Sequence, residues 1–174
     1  MHPLDKFTHC PVCGSGRFDI NDEKSKRCAD CGYVYYLNPS SANAAFVVND
    51  RCELLVERRG REPQKGLLDL PGGFADIGET AEQGVIREVL EETGLTVARA
   101  EYLFSFPNTY LYSGLVVPTL DLFFRCEVTD LSSLRAEDDA AEVMWIPFEQ
   151  IHPDDFAFDS IRKGVEEFLK TVNR

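Results

Sequence analysis

Residues 73–95 read Gly73-Phe74-Ala75-Asp76-Ile77-Gly78-Glu79-Thr80-Ala81-Glu82-Gln83-Gly84-Val85-Ile86-Arg87-Glu88-Val89-Leu90-Glu91-Glu92-Thr93-Gly94-Leu95. Thr80, followed three residues later by Gln83, has the form of a capping box, in which the two residues satisfy each other's orphan backbone donors. A helix is therefore expected from about Thr80. It should stop at Gly94, because a glycine directly after a periodic segment is the usual left-handed terminator. At about 100° per residue, Val85, Ile86, Val89 and Leu90 fall on one arc, and Glu88, Glu91 and Glu92 fall on the opposite one with Ala81 and Gly84. The acidic arc is expected to be nearly clear of bulky side chains, with room for a cation and a phosphate group.

Three carboxylates within one turn repel one another by about 0.2–0.5 kcal/mol per pair even when exposed. A solvated face is the plain meaning of such a run. A hard divalent cation would instead remove the repulsion, and Mg²⁺ (or Mn²⁺) commonly bridges carboxylates to substrate phosphates while keeping some of its waters. Pro71-Gly72-Gly73 favours the second reading. It follows Gly66-Leu67-Leu68-Asp69-Leu70, a short apolar strand candidate, and its glycines let the backbone approach a ligand closely.

The segment matches every fixed position of the Nudix box, G-x5-E-x7-R-E-U-x-E-E-x-G-U with U aliphatic, through Gly73, Glu79, Arg87, Glu88, Val89, Glu91, Glu92, Gly94 and Leu95. Over roughly residues 40–172 the chain resembles a Nudix hydrolase. The resemblance implies an α/β fold, an α/β/α sandwich around a mixed sheet, with Glu88, Glu91 and Glu92 holding catalytic Mg²⁺ (or Mn²⁺). It also implies an ion pair between Arg87 and Glu79 as a brace, and the carbonyl of Gly72 or Gly73 as a further metal ligand, against a plain tight turn. A last metal or base carboxylate would come from a downstream loop, where Glu137, Asp138, Asp139 and Glu142 precede the strand candidate Val143-Met144-Trp145-Ile146-Pro147. Glu142 is preferred for its place directly before that strand; a surface loop rich in acids is the other reading.

The activity implied is hydrolysis of the pyrophosphate bond in a nucleoside diphosphate linked to another group, such as NAD(H) or ADP-ribose. A glutamate of the helix or Glu142 would be the base. A nucleoside triphosphate pyrophosphatase and a non-catalytic nucleotide sensor are the alternatives. A sensor should carry a damaged box, and all the acidic positions here are intact.

At the N-terminus, Cys10-Pro11-Val12-Cys13 and Cys28-Ala29-Asp30-Cys31 form C-x2-C, fourteen residues, C-x2-C. This is the spacing of a structural Zn²⁺ site, in which four thiolates leave no open position for chemistry. A segment of about forty residues is too small to fold on packing alone, and zinc supplies the missing free energy. Gly14 and Gly32 fit the turn after each pair. Two disulfides are the alternative, but no signal peptide or membrane-length apolar run points to an oxidising compartment, so a cytoplasmic location is expected. Cys52 and Cys126 lie in apolar strand candidates and read as small buried hydrophobes.

A zinc ribbon over residues 1–38 and a hydrolase domain over 39–174 are the expected division of the 174 residues, with Asn38-Pro39-Ser40-Ser41 as the hinge. A ribbon ahead of such a domain resembles the NADH pyrophosphatase branch of the family. That branch's S-Q-P-W-P-F-P-x-S element after the box is reduced here to Phe106-Pro107. The ribbon holds five basic and five acidic side chains, so the rest of the chain carries the whole net charge of −12. A neutral ribbon is a poor footprint for duplex nucleic acid, and the expected partner is a small nucleotide. Stacking of single bases on Tyr33, Tyr35 or Tyr36 stays open.

Ala44-Ala45-Phe46-Val47-Val48 and Cys52-Glu53-Leu54-Leu55-Val56 flank Asn49-Asp50-Arg51 as a hairpin signal. Arg58 and Arg59 follow, on opposite faces of an extended strand, and one of them is a candidate for a substrate phosphate. Thr96–Phe106, Leu115–Val128 and Val143–Phe148 read as further strands, and Asp159–Val172 as a helix with Ile161, Val165, Phe168 and Leu169 on one face. Phe106, Tyr110 and Tyr112 either stack on a base or pack in the core. The apolar run Leu111–Val117 is a candidate homodimer surface.

Overall fold

The structure, a computed structural model, describes residues 2–135 and 140–172. The backbone divides into two units, Met1–Pro39 and Ser40–Arg174. In the first, β1 (Phe18–Asp22), β2 (Ser25–Cys28) and β3 (Val34–Tyr36) form an antiparallel sheet in that order. Its small core joins Cys10, Phe18 and Cys28, with Phe7 and Tyr35 against them. Gly14 and Gly32 adopt φ of +75° and +77° and turn the chain after each cysteine pair, their N–H groups donating to the carbonyls of Cys10 and Cys28.

The second unit contains β4 (Ser40–Val47), β5 (Glu53–Arg59), β6 (Leu68–Asp69), α1 (Ala81–Thr93), β7 (Val97–Tyr112), β8 (Leu115–Val128), β9 (Ala140–Pro147) and α2 (Asp159–Val172). The strands form two three-stranded sheets, β4-β8-β7 and β6-β5-β9. In the first, β4 runs parallel to β8 and β7 antiparallel to it, so the sheet is mixed. Strand alternation then builds the sandwich. Ala45, Val47 and Leu55 face a core completed by Val85 and Val89 of α1, while Ala44, Phe46, Leu54 and Val56 face one completed by Ile161, Val165 and Phe168 of α2. The Phe46 and Phe168 rings stack 4.1 Å apart and nearly parallel, at 5°. The fold is thus the α/β/α sandwich with mixed strands that the sequence led one to expect.

Three local expectations are corrected. The strands around Asn49-Asp50-Arg51 do not form a ladder with each other: β4 pairs along its whole length with β8, from Ser40↔Thr119 to Val47↔Cys126. A single bridge, Val48↔Leu54, joins it to β5. Both faces of β4 are apolar, which suits a parallel strand covered on two sides. Cys52 is not in a strand but in the turn, exposed and with φ of +59°; Cys126 is buried. Finally, β7 continues past Phe106 through Pro107 to Tyr112, because β7 is an edge strand and an edge tolerates a missing N–H. No helix among the described residues is long and apolar enough to cross a membrane.

Candidate active site

Helix α1 is capped as its sequence requires. The Thr80 hydroxyl accepts the Gln83 N–H at 3.2 Å, and the Gln83 side chain accepts the Thr80 N–H at 2.9 Å. Gly94 closes the helix with φ of +70°. Its buried line is rotated from the expected arc. Val85 and Val89 continue into Glu92, which is only 6% exposed, while Leu90 is 48% exposed. Gly84 is buried too: a Cβ there would lie 2.5 Å from Nδ2 of Asn43. The acidic face is therefore not a free surface. One of its members, Glu92, is driven inward.

That member lines a cleft of about 880 Å³ shared with Glu57 and Arg59 of β5, Asp69 of β6, the Pro71-Gly72-Gly73 turn, and Glu88 and Glu91. Two backbone bonds stitch the turn to β4, Asn43 N–H to the Gly73 carbonyl and Ala45 N–H to the Pro71 carbonyl, each 2.8 Å. The Gly72 N–H donates to Oε2 of Glu92 at 2.7 Å. Burial, and then the charge of Glu57, hold the Glu92 carboxyl well above the usual carboxylate range, against the opposing Gly72 bond. Glu57 is raised to about 8, first by burial and then by the charge of Asp69. Glu88 is raised as well, by burial, with the Arg87 guanidinium acting the other way.

Arg87 organises the outer rim. It grips Glu79 with two bonds, Nε to Oε1 at 2.8 Å and Nη2 to Oε2 at 3.0 Å. Its Nη1 donates to Glu88 at 2.8 Å and to Glu91 at 3.0 Å, and Nη2 reaches the Phe74 carbonyl at 3.1 Å. The Arg87 bonds draw the Glu79 carboxyl below its ordinary range. On the opposite wall Arg59 is fixed by Asp69 at 2.7 Å and by the Pro63 carbonyl at 2.9 Å, with its guanidinium 4.8 Å from the Phe158 ring centre. Tyr110 meets the rings of Phe74 and Phe158 at 5.6 and 5.5 Å. Deeper in, the Asp121 carboxylate accepts from Asn108 at 2.9 Å, Thr119 at 2.6 Å and Ser160 at 2.5 Å.

The cleft therefore gathers Glu88, Glu91, Glu92, Arg87, Gly72, Arg59 and Tyr110, with Glu79 braced to Arg87 at its rim. It does not gather Arg58, Phe106 or Glu142. Successive side chains of a strand point to opposite faces, so with Glu57 and Arg59 at the cleft, Arg58 turns away. Arg58 stands opposite Glu142 in the β5–β9 register, pairs with it at 3.4 Å, and leaves it 60% exposed. Phe106 packs against Phe104 and Phe123 beside the core. Glu137, Asp138 and Asp139 lie outside the described residues. Glu57, Asp69, Asn43 and Asp121 went unread in the sequence. For Glu57 a signal existed, an acid continuing the inward-facing alternation of Leu55.

Glu57, Asp69, Glu88, Glu91 and Glu92 line one cleft, and carboxylate oxygens are the donors that a hard divalent cation takes. The cysteines of the first unit fit a different ion. All their sulfurs lie within 4.8 Å of one another, with Cys10–Cys31 at 3.7 Å and Cys13–Cys28 at 3.6 Å. Tetrahedral bonds of about 2.3 Å to zinc place sulfurs about 3.8 Å apart. None of the four forms a disulfide. The Cys31 backbone N–H is the main cause lowering the Cys28 thiol to about 6.

The family model described as NUDIX domain matches residues 38–168. An ADP-ribose pyrophosphatase of Methanocaldococcus jannaschii is 46% identical over 81% of this chain and 79% of its own length. An NAD-capped RNA hydrolase NudC of Haemophilus influenzae is 31% identical over 88% of this chain and 56% of its own. The chain thus spans about half the length of the NudC relatives it matches. A NUDIX hydrolase from Nitrosomonas europaea shares the fold with a TM-score of 0.72, at 24% identity, over 94% of this chain and 90% of that one.

Proposed function

The chain belongs to the Nudix family, and from that premise we propose that it hydrolyses the pyrophosphate bond of a nucleoside diphosphate joined to a second group, with ADP-ribose or NAD(H) as the substrate class. The observation that carries this reading is the burial of Glu92 against the Gly72 N–H at the base of a cleft large enough for a dinucleotide-sized ligand. The 46% identical relative is named as an ADP-ribose pyrophosphatase, and the arginine and aromatic side chains of the opposite wall suit an anionic, ring-bearing substrate.

Glu88, Glu91 and Glu92, with the Gly72 carbonyl, would hold Mg²⁺ (or Mn²⁺). When bound, that ion neutralises phosphate oxygens and lowers the pKa of a coordinated water. The chain's own residues do the rest. Arg87 fixes the spacing of Glu88 and Glu91 through its shared guanidinium, with Glu79 anchoring it. Arg59, itself fixed by Asp69, presents a cation to the diphosphate, and Tyr110 with Phe74 forms a ring wall beside it. Phosphoryl transfer depends mainly on positioning and charge neutralisation, which is what this arrangement offers. The four cysteines would hold a structural Zn²⁺, so that residues 1–38 form a zinc ribbon without a part in the chemistry.

The test is a substrate panel with Mg²⁺: ADP-ribose, NADH, NAD⁺, diadenosine polyphosphates, UDP-sugars and nucleoside triphosphates. Release of AMP from ADP-ribose or NADH, exceeding turnover of the triphosphates, is expected. Turnover confined to triphosphates would replace the dinucleotide reading with the nucleotide-cleansing one.

A further inference from the structure

Glu57 and Asn43 are the lining residues of the cleft with buried side-chain polar atoms that lack a hydrogen-bond partner among the described residues, and of the two only Glu57 is an acid. It sits on β5, across from the acidic helix, and is only 4% exposed. Its Oε2 is out of contact with water and has no hydrogen-bond partner. Its surroundings are strongly acidic: Asp69 and Glu88 act on it as like charges, while the charge of Arg59 and a hydrogen bond with the Glu92 side chain act the other way and leave Oε2 without a partner. Two cations of the cleft wall are hydrogen-bonded to other acids, Arg59 to Asp69 and Arg87 to Glu79, Glu88 and Glu91. A buried carboxylate oxygen without a hydrogen-bond partner is destabilising. An apolar side chain would serve β5 better if the position were structural, since Leu55 and Val56 just before it are fully buried.

We propose that Glu57 is a ligand of the same divalent cation as Glu88 and Glu92, so that the site is clamped between α1 and β5 rather than completed from the segment before β9. The inference rests on the hydrolase reading above. It assigns to Glu57 the part expected by resemblance of Glu142, which is exposed and paired to Arg58 outside the cleft. It also accounts for Oε2: a cation bound among these acids would give the unpartnered oxygen a partner.

The test is Mn²⁺ binding to the full chain, followed by the loss of the free-ion electron paramagnetic resonance signal, in the parent protein, Glu57→Gln and Glu92→Gln. The expected result is an affinity weakened tenfold or more in both variants, with the Glu57→Gln protein folded and melting no lower than the parent. Parental affinity in Glu57→Gln alongside a loss in Glu92→Gln overturns the assignment of Glu57 and leaves the hydrolase reading standing. Parental affinity in both overturns the cation site itself. If Glu57→Gln does not fold, Glu57→Asp, which keeps the charge but withdraws it by one methylene, decides in its place: a tenfold loss supports the ligand role and parental affinity overturns it.

Discussion

Oε2 of Glu92 accepts the backbone N–H of Gly72 at 2.7 Å, and this bond joins the last turn of α1 to the glycine turn twenty residues earlier. It orients a carboxylate that burial would otherwise leave free to rotate, and it brings backbone and acid to the same spot in the cleft. The joint needs a glycine. Gly72 has φ of +156°, and a Cβ on it would lie 2.0 Å from the Asn43 carbonyl oxygen, a backbone atom that β4 pairing holds in place.

Gly72→Ala should therefore displace the turn from β4. A cost of about 1–3 kcal/mol is expected from the forced contact, read as a lower melting temperature, together with a loss of activity larger than the stability change alone would give. Parental stability and activity would show that the turn can shift without disturbing Glu92.

Arg87→Lys should impair catalysis while leaving the fold intact. A lysine keeps the charge but cannot grip Glu79 with two bonds and also reach Glu88, Glu91 and the Phe74 carbonyl. Outer partners of a metal site typically matter by about 10–100-fold, and a fall of that size in kcat is expected. A change in KM alone would instead point to a role in holding substrate.

The stability of the cation-free protein should fall as pH rises. Glu57 is raised from its ordinary value to about 8, and Glu92 is raised in the same direction, so the folded state binds protons that the unfolded state has released. Stability from these groups is complete below the ordinary glutamate range and is lost as pH climbs through about 8. Melting temperatures between pH 5 and 8.5 should decline, Glu57→Gln should flatten the decline, and Mg²⁺ should restore more stability at pH 8.5 than at pH 6. A variant with the parental slope would contradict the shift.

One zinc per chain should be released when the thiols are titrated with a mercurial in the presence of a zinc indicator, and Cys28→Ser should lower the bound metal to near zero. A metal-free parent with reactive thiols would remove zinc from the account.

What the sequence made legible was periodic or patterned. The Thr80–Gln83 box and Gly94 located α1, and the apolar face of Ile161, Val165, Phe168 and Leu169 located α2. What it hid depends on three-dimensional register. The arc of Leu90 against Glu92 differs by a small rotation that only the packing of Val85 and Val89 decides. Glu57 lay between an apolar run and two arginines that drew attention first, and the turning away of Arg58 and Glu142 follows from a β5–β9 pairing that no local pattern announces. The parallel pairing of β4 with β8 joins residues about eighty apart in sequence, which is why a hairpin with its immediate neighbour looked sufficient.

The most direct test of the account is the steady-state kinetics of Glu92→Gln on ADP-ribose with Mg²⁺. The amide oxygen can still accept the Gly72 N–H, so the fold and the cleft should persist while the charge is lost. The kcat should fall about a hundredfold or more, with KM within about threefold of the parent. A kcat near that of the parent would contradict the account.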